Sequence, residues 1–425
     1  MTLYLKNANF IDYQSFEINH TNITVESGPT GSITLSKNVP ADDALGTGDR
    51  IIDCKGKFVT KSFGCGHHHI YSTLARGMPA PRHIPTNFPE ILKYVWWHID
   101  KRLDLEMIEA SALASAIYCA KSGVTFVIDH HASPFAIDGS LETIARAFDR
   151  VGISHMLCYE MSDRDGVEKR EQGLAETDAF LASGRAGHVG LHASFTVSDK
   201  LLADSIELAK KYQTGLHIHV AEDKADQDHA LTNFGKRVVE RLHDAGGLEL
   251  GKSILGHCIH LSENELQLLQ ESGVWVVQNV ESNQNNNVGL AGYGKLASQM
   301  MLGTDGMHCD MLRSAKATFL AGQATEGIGF DTIYDRFRNV HRYIKSSGAA
   351  GDTDNNLVIL DYDPPTDLTQ DNFLGHFVYG VDARHVESVI SQGQVLVEDR
   401  KITTVDEKEV LTHARAMGRK LWDKL

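Results

Sequence analysis

The sequence predicts an α/β protein: an eight-stranded (β/α)8 barrel with a small strand-rich domain beside it. Three observations predict it. A unit of amphipathic helix, glycine and short apolar strand recurs from about Leu105 onward. These strands do not alternate apolar with polar residues, so both faces are buried, as in a parallel sheet. Eight such strands can be counted between roughly Phe58 and Gly306, the number that closes a barrel. A doubly wound open sheet is the competing architecture.

The elements follow in chain order. The first sixty or so residues ("LYLKNANFID", "NITVES", "SITLSK", "RIIDCKGKFVTK") are rich in β-branched residues and broken by Gly and Asp, and they read as short strands. The strand that ends at "GHHH" opens the barrel. "LEMIEASALASAIYCAKSG" then leads into "VTFVID", "LETIARAFDRVG" into "ISHMLCYE", "LLADSIELAKKYQTG" into "LHIHVAE", and "NELQLLQESG" into "VWVVQN". "HVGLHASF", "SILGHCIHL" and "QMMLGTDG" complete the eight. Gly123, Gly152, Gly215 and Gly273 stand where a helix C-cap favours left-handed φ. Ser262 and Glu265 fit a capping box. Strand-like composition resumes in "NLVILDY", "HFVYGV" and "SVISQGQVLVEDRKITTV". The expected division is 1–60 with 350–408 as the strand-rich domain, 61–349 as the barrel and 409–425 as a C-terminal helix.

Composition narrows the function. The 425 residues are 42% hydrophobic and 23% charged, the balance of a globular protein. A net charge of −15 disfavours nucleic-acid binding, which needs clustered Lys and Arg. No apolar run approaches a membrane span, and "MTLYLKNANFIDYQ" does not read as a secretion signal. Six scattered cysteines without a CxxC pair suggest a reducing cytoplasm. A small-molecule substrate is the partner class that remains.

Active residues of a barrel gather at the C-terminal ends of its strands. Those ends here carry His67 and His69, Asp129-His130-His131, Glu160, His192, His217 and His219 with Glu222, His257, Asn279 and Asp305. Side chains two apart on an extended segment share a face, so His67 and His69 can grip one ion while His68 turns away. A third imidazole from "HIHVAE" and the carboxylate of "GTD" complete a shell that suits zinc or ferrous iron better than magnesium or calcium. His217 and His219 share a face too. His219 lies nearer the strand mouth and is the preferred ligand, with Glu222 as acid–base partner. As a bland alternative, Glu222 is a first-turn helix carboxylate favoured by the dipole.

The ordered set "GHHHIYSTLARG", "LHASFTVSD", "LHIHVAED", "LGHCIHL", "SNQNNNVG" and "MLGTDGMHCDML" resembles the amidohydrolase superfamily, and within it the atrazine/hydroxyatrazine-type aminohydrolases. "LCYEMSDRDG", "DHHASP" and "DYDPPTDLTQDNFLGHFVYG" are similar to the SsnA-type aminohydrolases of selenium metabolism. The resemblance implies a barrel with a flanking β-sandwich from both termini, and dimers or larger oligomers. It implies one divalent metal, zinc or iron, on His67, His69, His219 and Asp305, with Glu222, His257 and Asp305 as catalytic residues. Two-metal members carry a carboxylated lysine at the end of the fourth strand. Here "GLHASF" offers His192 instead, and Lys200 falls well beyond it. Two departures stand out: Lys61-Ser62 in place of Pro-Gly, and Val280-Glu281 in place of Pro-Arg.

The expected reaction is hydrolytic deamination of a small N-heterocycle such as a purine, pteridine, pyrimidine or triazine. A bound metal acidifies water to near neutrality. Asp305 takes its proton, Glu222 protonates a ring nitrogen, and His257 donates to the attacking oxygen. His130, His131, His192 and Trp96 are candidate substrate contacts, each with a structural alternative: buried support for the histidines, core packing for Trp96 and Trp97. Arg76 is read as bracing the loop after the first barrel strand, and Asn283 to Asn287 as pocket lining or solvated turn. The rival readings are hydrolysis of a cyclic amide or carbon–halogen bond, and a silent barrel scaffold.

Overall fold

The computed structural model describes residues 2–40 and 45–425; Met1 and residues 41–44, within the expected 1–60 segment, lie outside the described residues. Strands β1 (Thr2–Ile11), β2 (Ile18–Glu26), β3 (Ile33–Ser36), β4 (Arg50–Asp53) and β5 (Phe58–Lys61) come from the N-terminal part. The eight central strands are β6 (Phe63–His68), β7 (Val124–His131), β8 (Ser154–Tyr159), β9 (Val189–Ala193), β10 (Leu216–Val220), β11 (Ile254–His257), β12 (Trp275–Gln278) and β13 (Met300–Leu302). The last four are β14 (Leu357–Leu360), β15 (Val386–Ser391), β16 (Gln394–Glu398) and β17 (Lys401–Ile402).

The two strand-rich ends join in one nine-stranded sheet, ordered β17-β16-β15-β14-β5-β1-β2-β3 with β4 beside β1. The seam is the antiparallel pairing of β14 with β5, Leu357 opposite Lys61. All nine strands thus share one pairing network instead of dividing into two sheets. "HFVYGV" is a correction: it lies in and just after a helix, Phe373–Tyr379. Its aromatic, β-branched composition imitates a strand, but Phe373 and Phe377 pack on Tyr334 at 5.6 and 5.0 Å between ring centroids. The C-terminal helix runs Glu407–Trp422.

The central strands pair in parallel as β6-β7-β8 and as β9-β10-β11-β12-β13. Single bridges cross between the two groups at both seams: Leu157 with Gly187 and Met161 with Leu191 on one side, His68 with Asp305 on the other. Close backbone approach at the second seam needs glycine. A Cβ on Gly66 would meet the Leu302 carbonyl at 2.9 Å, and one on Gly303 would meet Asn279 Oδ1 at 2.4 Å. These glycines let the histidine run lie against the "LGTD" turn.

Helices cover the central strands with the caps their sequences specify. Gly123 and Gly152 take left-handed φ, +83° and +93°, and Ser262 with Glu265 forms the capping box. Gly215 and Gly273 do not act as left-handed caps. At the first site Gln213 takes the positive φ instead, 53°, and Gly215 passes so near Lys252 that a Cβ would lie 2.3 Å from its carbonyl carbon. At the second, Ser272 ends the helix in extended geometry. Gly215 serves close packing, which a capping pattern cannot distinguish, whereas a Cβ on Gly273 would meet only Gly251 Cα, at 3.4 Å. None of the helices among the described residues is long and apolar enough to cross a membrane.

Candidate metal centre and its cavity

The H-x-H alternation works as the strand period requires. Cys65 and His68 pair with β7, while His67 and His69 turn inward. His68 faces the other way, its Nε2 3.0 Å from Ser115 Oγ and its Nδ1 2.8 Å from the Asp305 carbonyl. The Thr304 and Asp305 amides donate to the His67 carbonyl, and the His69 amide donates to the Asp305 carbonyl. Three backbone hydrogen bonds therefore set the Asp305 side chain beside both imidazoles.

The tautomers follow from the partners. His69 Nδ1 lies 2.6 Å from the His130 carbonyl, and His219 Nδ1 lies 2.9 Å from the His192 carbonyl. A carbonyl only accepts, so each Nδ1 carries the proton and each Nε2 presents a lone pair. Yet these two Nε2 atoms face one another at 3.2 Å. His67 Nε2 is buried with no hydrogen-bond partner, and Asp305 Oδ1 stands 3.0 Å from His69 Nε2 and 3.6 Å from His67 Nε2. One ligand atom from each of His67, His69, His219 and Asp305 lies within 4.8 Å of all the others. Converging lone pairs beside one carboxylate fit a divalent cation, and imidazole with carboxylate is the donor set of zinc or iron. Burial opposes a charge on His69, but Asp305 outweighs it and raises the imidazole to about 9. A proton and a metal thus compete for that nitrogen.

His217, the other imidazole of "HIHVAE", lies one layer below. Its Nε2 meets His67 Nδ1 at 2.9 Å and orients that ring from behind.

Glu222, His257 and Asp305 form a second grouping beside the first. His257 Nε2 stands 3.5 Å from Glu222 Oε2 and 3.9 Å from Asp305 Oδ2, while its Nδ1 donates to Asn283 Oδ1 at 2.7 Å. Burial raises the Glu222 carboxyl to about 7 against the pull of His257. Asp305 moves the other way: burial opposes its ionisation, but the contacts with His67 and His69 hold it well below the usual range. The backbone is turned to reach these positions. Ala221, His257 and Asp305 have φ of 47°, 67° and 53°, a left-handed region that costs non-glycine residues energy and clusters at functional sites. Asp226 fixes the first of these turns by accepting from the Ala221 and Phe195 amides.

A cavity opens on this group. His192 and Trp96 line it; so do Tyr71, Phe88, Trp97, Glu160 and Asn286. His130 and His131 do not line it. His130 is wedged behind, its Nδ1 3.1 Å from Glu160 and its Nε2 3.1 Å from the carbonyls of Leu191 and His217. His131 Nε2 bonds Ser133 Oγ at 2.9 Å. The segment Leu92–Trp96 is a π-helical turn followed by an α-turn, Trp97–Ile99, and it brings both tryptophans to the cavity. Such turns recur at functional sites. Phe88 carried no sequence signal. Glu160 carried one, its place at a strand end, and Trp97 shared the signal of Trp96.

Other expectations resolve locally. Glu281 does not face the cavity but takes Arg313 at 2.8 Å and His308 at 2.5 Å. Asn283 and Asn286 hold His257 and Glu222 (3.4 Å from Asn286 Nδ2). Arg76 stacks on Tyr118 with 5.3 Å to the ring centroid.

Comparisons with known proteins agree with this geometry. The amidohydrolase family model matches residues 58–331, more than half of the chain. The chain is similar to a 5-methylthioadenosine/S-adenosylhomocysteine deaminase of Thermoanaerobacter pseudethanolicus, 26% identical over 99% of both chains. It is also similar to a 5'-deoxyadenosine deaminase of Methanobrevibacter smithii, 28% identical over 86% of this chain and 87% of the relative. Among solved structures, a zinc-bound adenosine deaminase from Xanthomonas campestris superposes with a TM-score of 0.83 at 17% identity, covering 99% and 98% of the two chains. The zinc complex of atrazine chlorohydrolase from Arthrobacter aurescens gives 0.78 at 14% identity, covering 98% and 100%. The chain belongs to the amidohydrolase family.

Proposed function

We propose that this amidohydrolase is a metal-dependent aminohydrolase that deaminates a small N-heterocycle. The observation that carries the reading is the convergence of the Nε2 atoms of His67, His69 and His219 beside Asp305, with Glu222 and His257 next to them. The named deaminase relatives and the zinc-bound neighbours support it. We assign His67, His69, His219 and Asp305 as ligands of a single ion, zinc before iron. When bound, that ion acidifies a water to near neutral pKa and polarises it for attack.

The chain's own residues do the rest. Asp305 Oδ2, turned toward His257 and away from the ligand imidazoles, receives the proton of the attacking water and returns it to the leaving amine. Glu222, neutral in part near pH 7, donates to the ring nitrogen next to the attacked carbon, so no anion builds there. His257 keeps one proton on Nδ1 for Asn283. An added proton on Nε2, between two carboxylates, is donated to the attacking oxygen. Tyr71, Phe88, Trp96 and Trp97 give a flat ring apolar walls.

The same proposal includes a closed (β/α)8 barrel over 61–349, supported by the bridges at both seams. It also includes the strand-rich domain 1–60 with 350–408 and the C-terminal segment 409–425. Six buried free cysteines support a reducing cytoplasm, and a homo-oligomer is expected.

The test is ammonia release by zinc-loaded protein across purines, pteridines, pyrimidines and triazines, with metal content measured on the same sample. Ammonia with an intact ring is expected. Halide release or ring opening would move the reading to carbon–halogen or cyclic-amide hydrolysis.

A further inference from the structure

The mechanism above leaves Glu160 unused. This carboxylate follows β8, is buried, and lines the cavity. Its Oε2 is taken by His130. Both nitrogens of His130 face acceptors, and its Nδ1 is directed at this oxygen. Oε1 accepts no hydrogen bond from the described residues, and its ion-pair neighbour, His192 Nε2, stands off at 3.9 Å.

His192 is an acceptor as well. Its Nδ1 lies 2.6 Å from Thr196 Oγ1, whose single proton goes to the Ala193 carbonyl at 3.1 Å. Nδ1 therefore donates and Nε2 is bare. The cavity wall thus holds two acceptors 3.9 Å apart that cannot satisfy each other. Such a pair is costly when buried unless a donor fills it. One amino group, with its nitrogen about 2.9 Å from each acceptor, bridges that spacing.

A second ion is a poor filler. His69, His130 and Glu160 form a grouping of metal-binding type, but His69 Nδ1 is spent on the His130 carbonyl and His130 Nδ1 on Glu160 itself. Charge points the same way as geometry. No Lys or Arg is among the described residues that line the cavity, whereas Glu160, Glu222 and Asp305 are.

We propose that Glu160 and His192 select the substrate: a neutral or cationic N-heterocycle carrying a second exocyclic amine, which bridges Glu160 Oε1 and His192 Nε2 while the first is presented to Asp305 and Glu222. This rests on the deaminase reading above and narrows it. In this role Glu160 is a specificity-determining residue and takes no proton in the reaction.

The test is calorimetric binding to zinc-loaded protein carrying Glu222→Gln, so that nothing turns over. Adenine and 2,6-diaminopurine form a matched pair that differs by one amine. The diamine is expected to bind about tenfold tighter, the discrimination typical of a buried polar group left unpaired. Adding Glu160→Gln should shrink that preference below about threefold, the remainder resting on His192. Equal affinities in both proteins overturn the assignment and leave the deaminase reading standing. If neither purine binds, the purine form of that reading fails and this proposal with it. Adenosine binding tighter than adenine, with the gain lost on Glu160→Gln, would give the acceptor pair to a vicinal diol and overturn the amine. Should Glu160→Gln not fold, the matched pair on the Glu160 protein decides alone: adenine binding as well as the diamine sinks the proposal.

Discussion

Two buried polar clusters flank strand β6, and they are built on opposite principles. At its entry, the Lys61 ammonium meets Asp352 Oδ1 at 2.8 Å and the Thr353 carbonyl at 2.6 Å, and His341 Nδ1 meets Asp352 Oδ2 at 2.7 Å. Arg338 closes the group by donating to the carbonyls of Lys61 and Ser62. Opposite charges are matched there, and the loose end is His341 Nε2. At the exit of the same strand, His69 and His219 turn Nε2 lone pairs on one another, and His67 Nε2 and His257 Nε2 find no partner. The first cluster, His341 Nε2 apart, is balanced within the chain and ties β5 to the loop before β14. The second is left unbalanced within the chain, and its donor atoms could hold a cation. Burial is thus no guide to role; whether donors and acceptors balance is the guide.

The comparison can be broken by substitution. The largest effect is expected at the exit cluster: Asp305→Asn should lower kcat by about 10⁴-fold or more, since it removes the proposed ligand and proton acceptor together. Its thermal midpoint without metal should hold or rise, because one buried charge has gone. A variant that melts early and keeps its turnover would reverse the assignment of the two clusters. Glu222→Gln should cost about 10²- to 10⁴-fold in kcat while zinc content, read by elemental analysis, stays at the level of the parent. A parallel loss of zinc would make Glu222 a ligand.

At the entry cluster the effect should fall on stability. Asp352→Ala leaves Lys61 buried without its partner and should cost about 3–5 kcal/mol, measured by denaturant unfolding. The kcat of the folded fraction should change little. The smallest effect is a matter of pH. Burial opposes ionisation of Asp352, but His341 and Lys61 outweigh it and hold the carboxyl at about 2. Its unfolded value is near 3.9. A carboxyl depressed on folding stabilises above its unfolded pKa, and the contribution is lost as pH falls through the folded one. Roughly 2 kcal/mol should therefore disappear between about pH 4 and pH 2, and Asp352→Asn should lack that segment of the curve. An unchanged acid profile in Asp352→Asn would remove the ion pair from the stability account.

Much of this was legible in residues. The eight central strands stand where non-alternating apolar runs placed them, because strands buried on both faces need apolar side chains throughout. The pairing of both chain ends into one sheet was legible as resumed composition, while the Phe373–Tyr379 helix was not: its aromatic content suits either conformation, and packing on Tyr334 decides. At the site, the choice of His219 over His217 followed from position along a strand. His130 and His131 were indistinguishable from His192 in the sequence, since all three sit at strand ends. Lys61 and Glu281, departures from the family pattern, find partners in Asp352 and in Arg313 with His308, residues distant in the chain.

The line between the two kinds of knowledge is drawn by range. The backbone period of a strand alone puts His67 and His69 on one side and His68 on the other, so that much was determined by the sequence. Which nitrogen carries a proton, which histidine meets the cavity and which carboxylate is left with a free oxygen were decided only by the tertiary structure. Those properties depend on hydrogen-bond partners contributed by other strands, and no local rule of chain geometry can supply them.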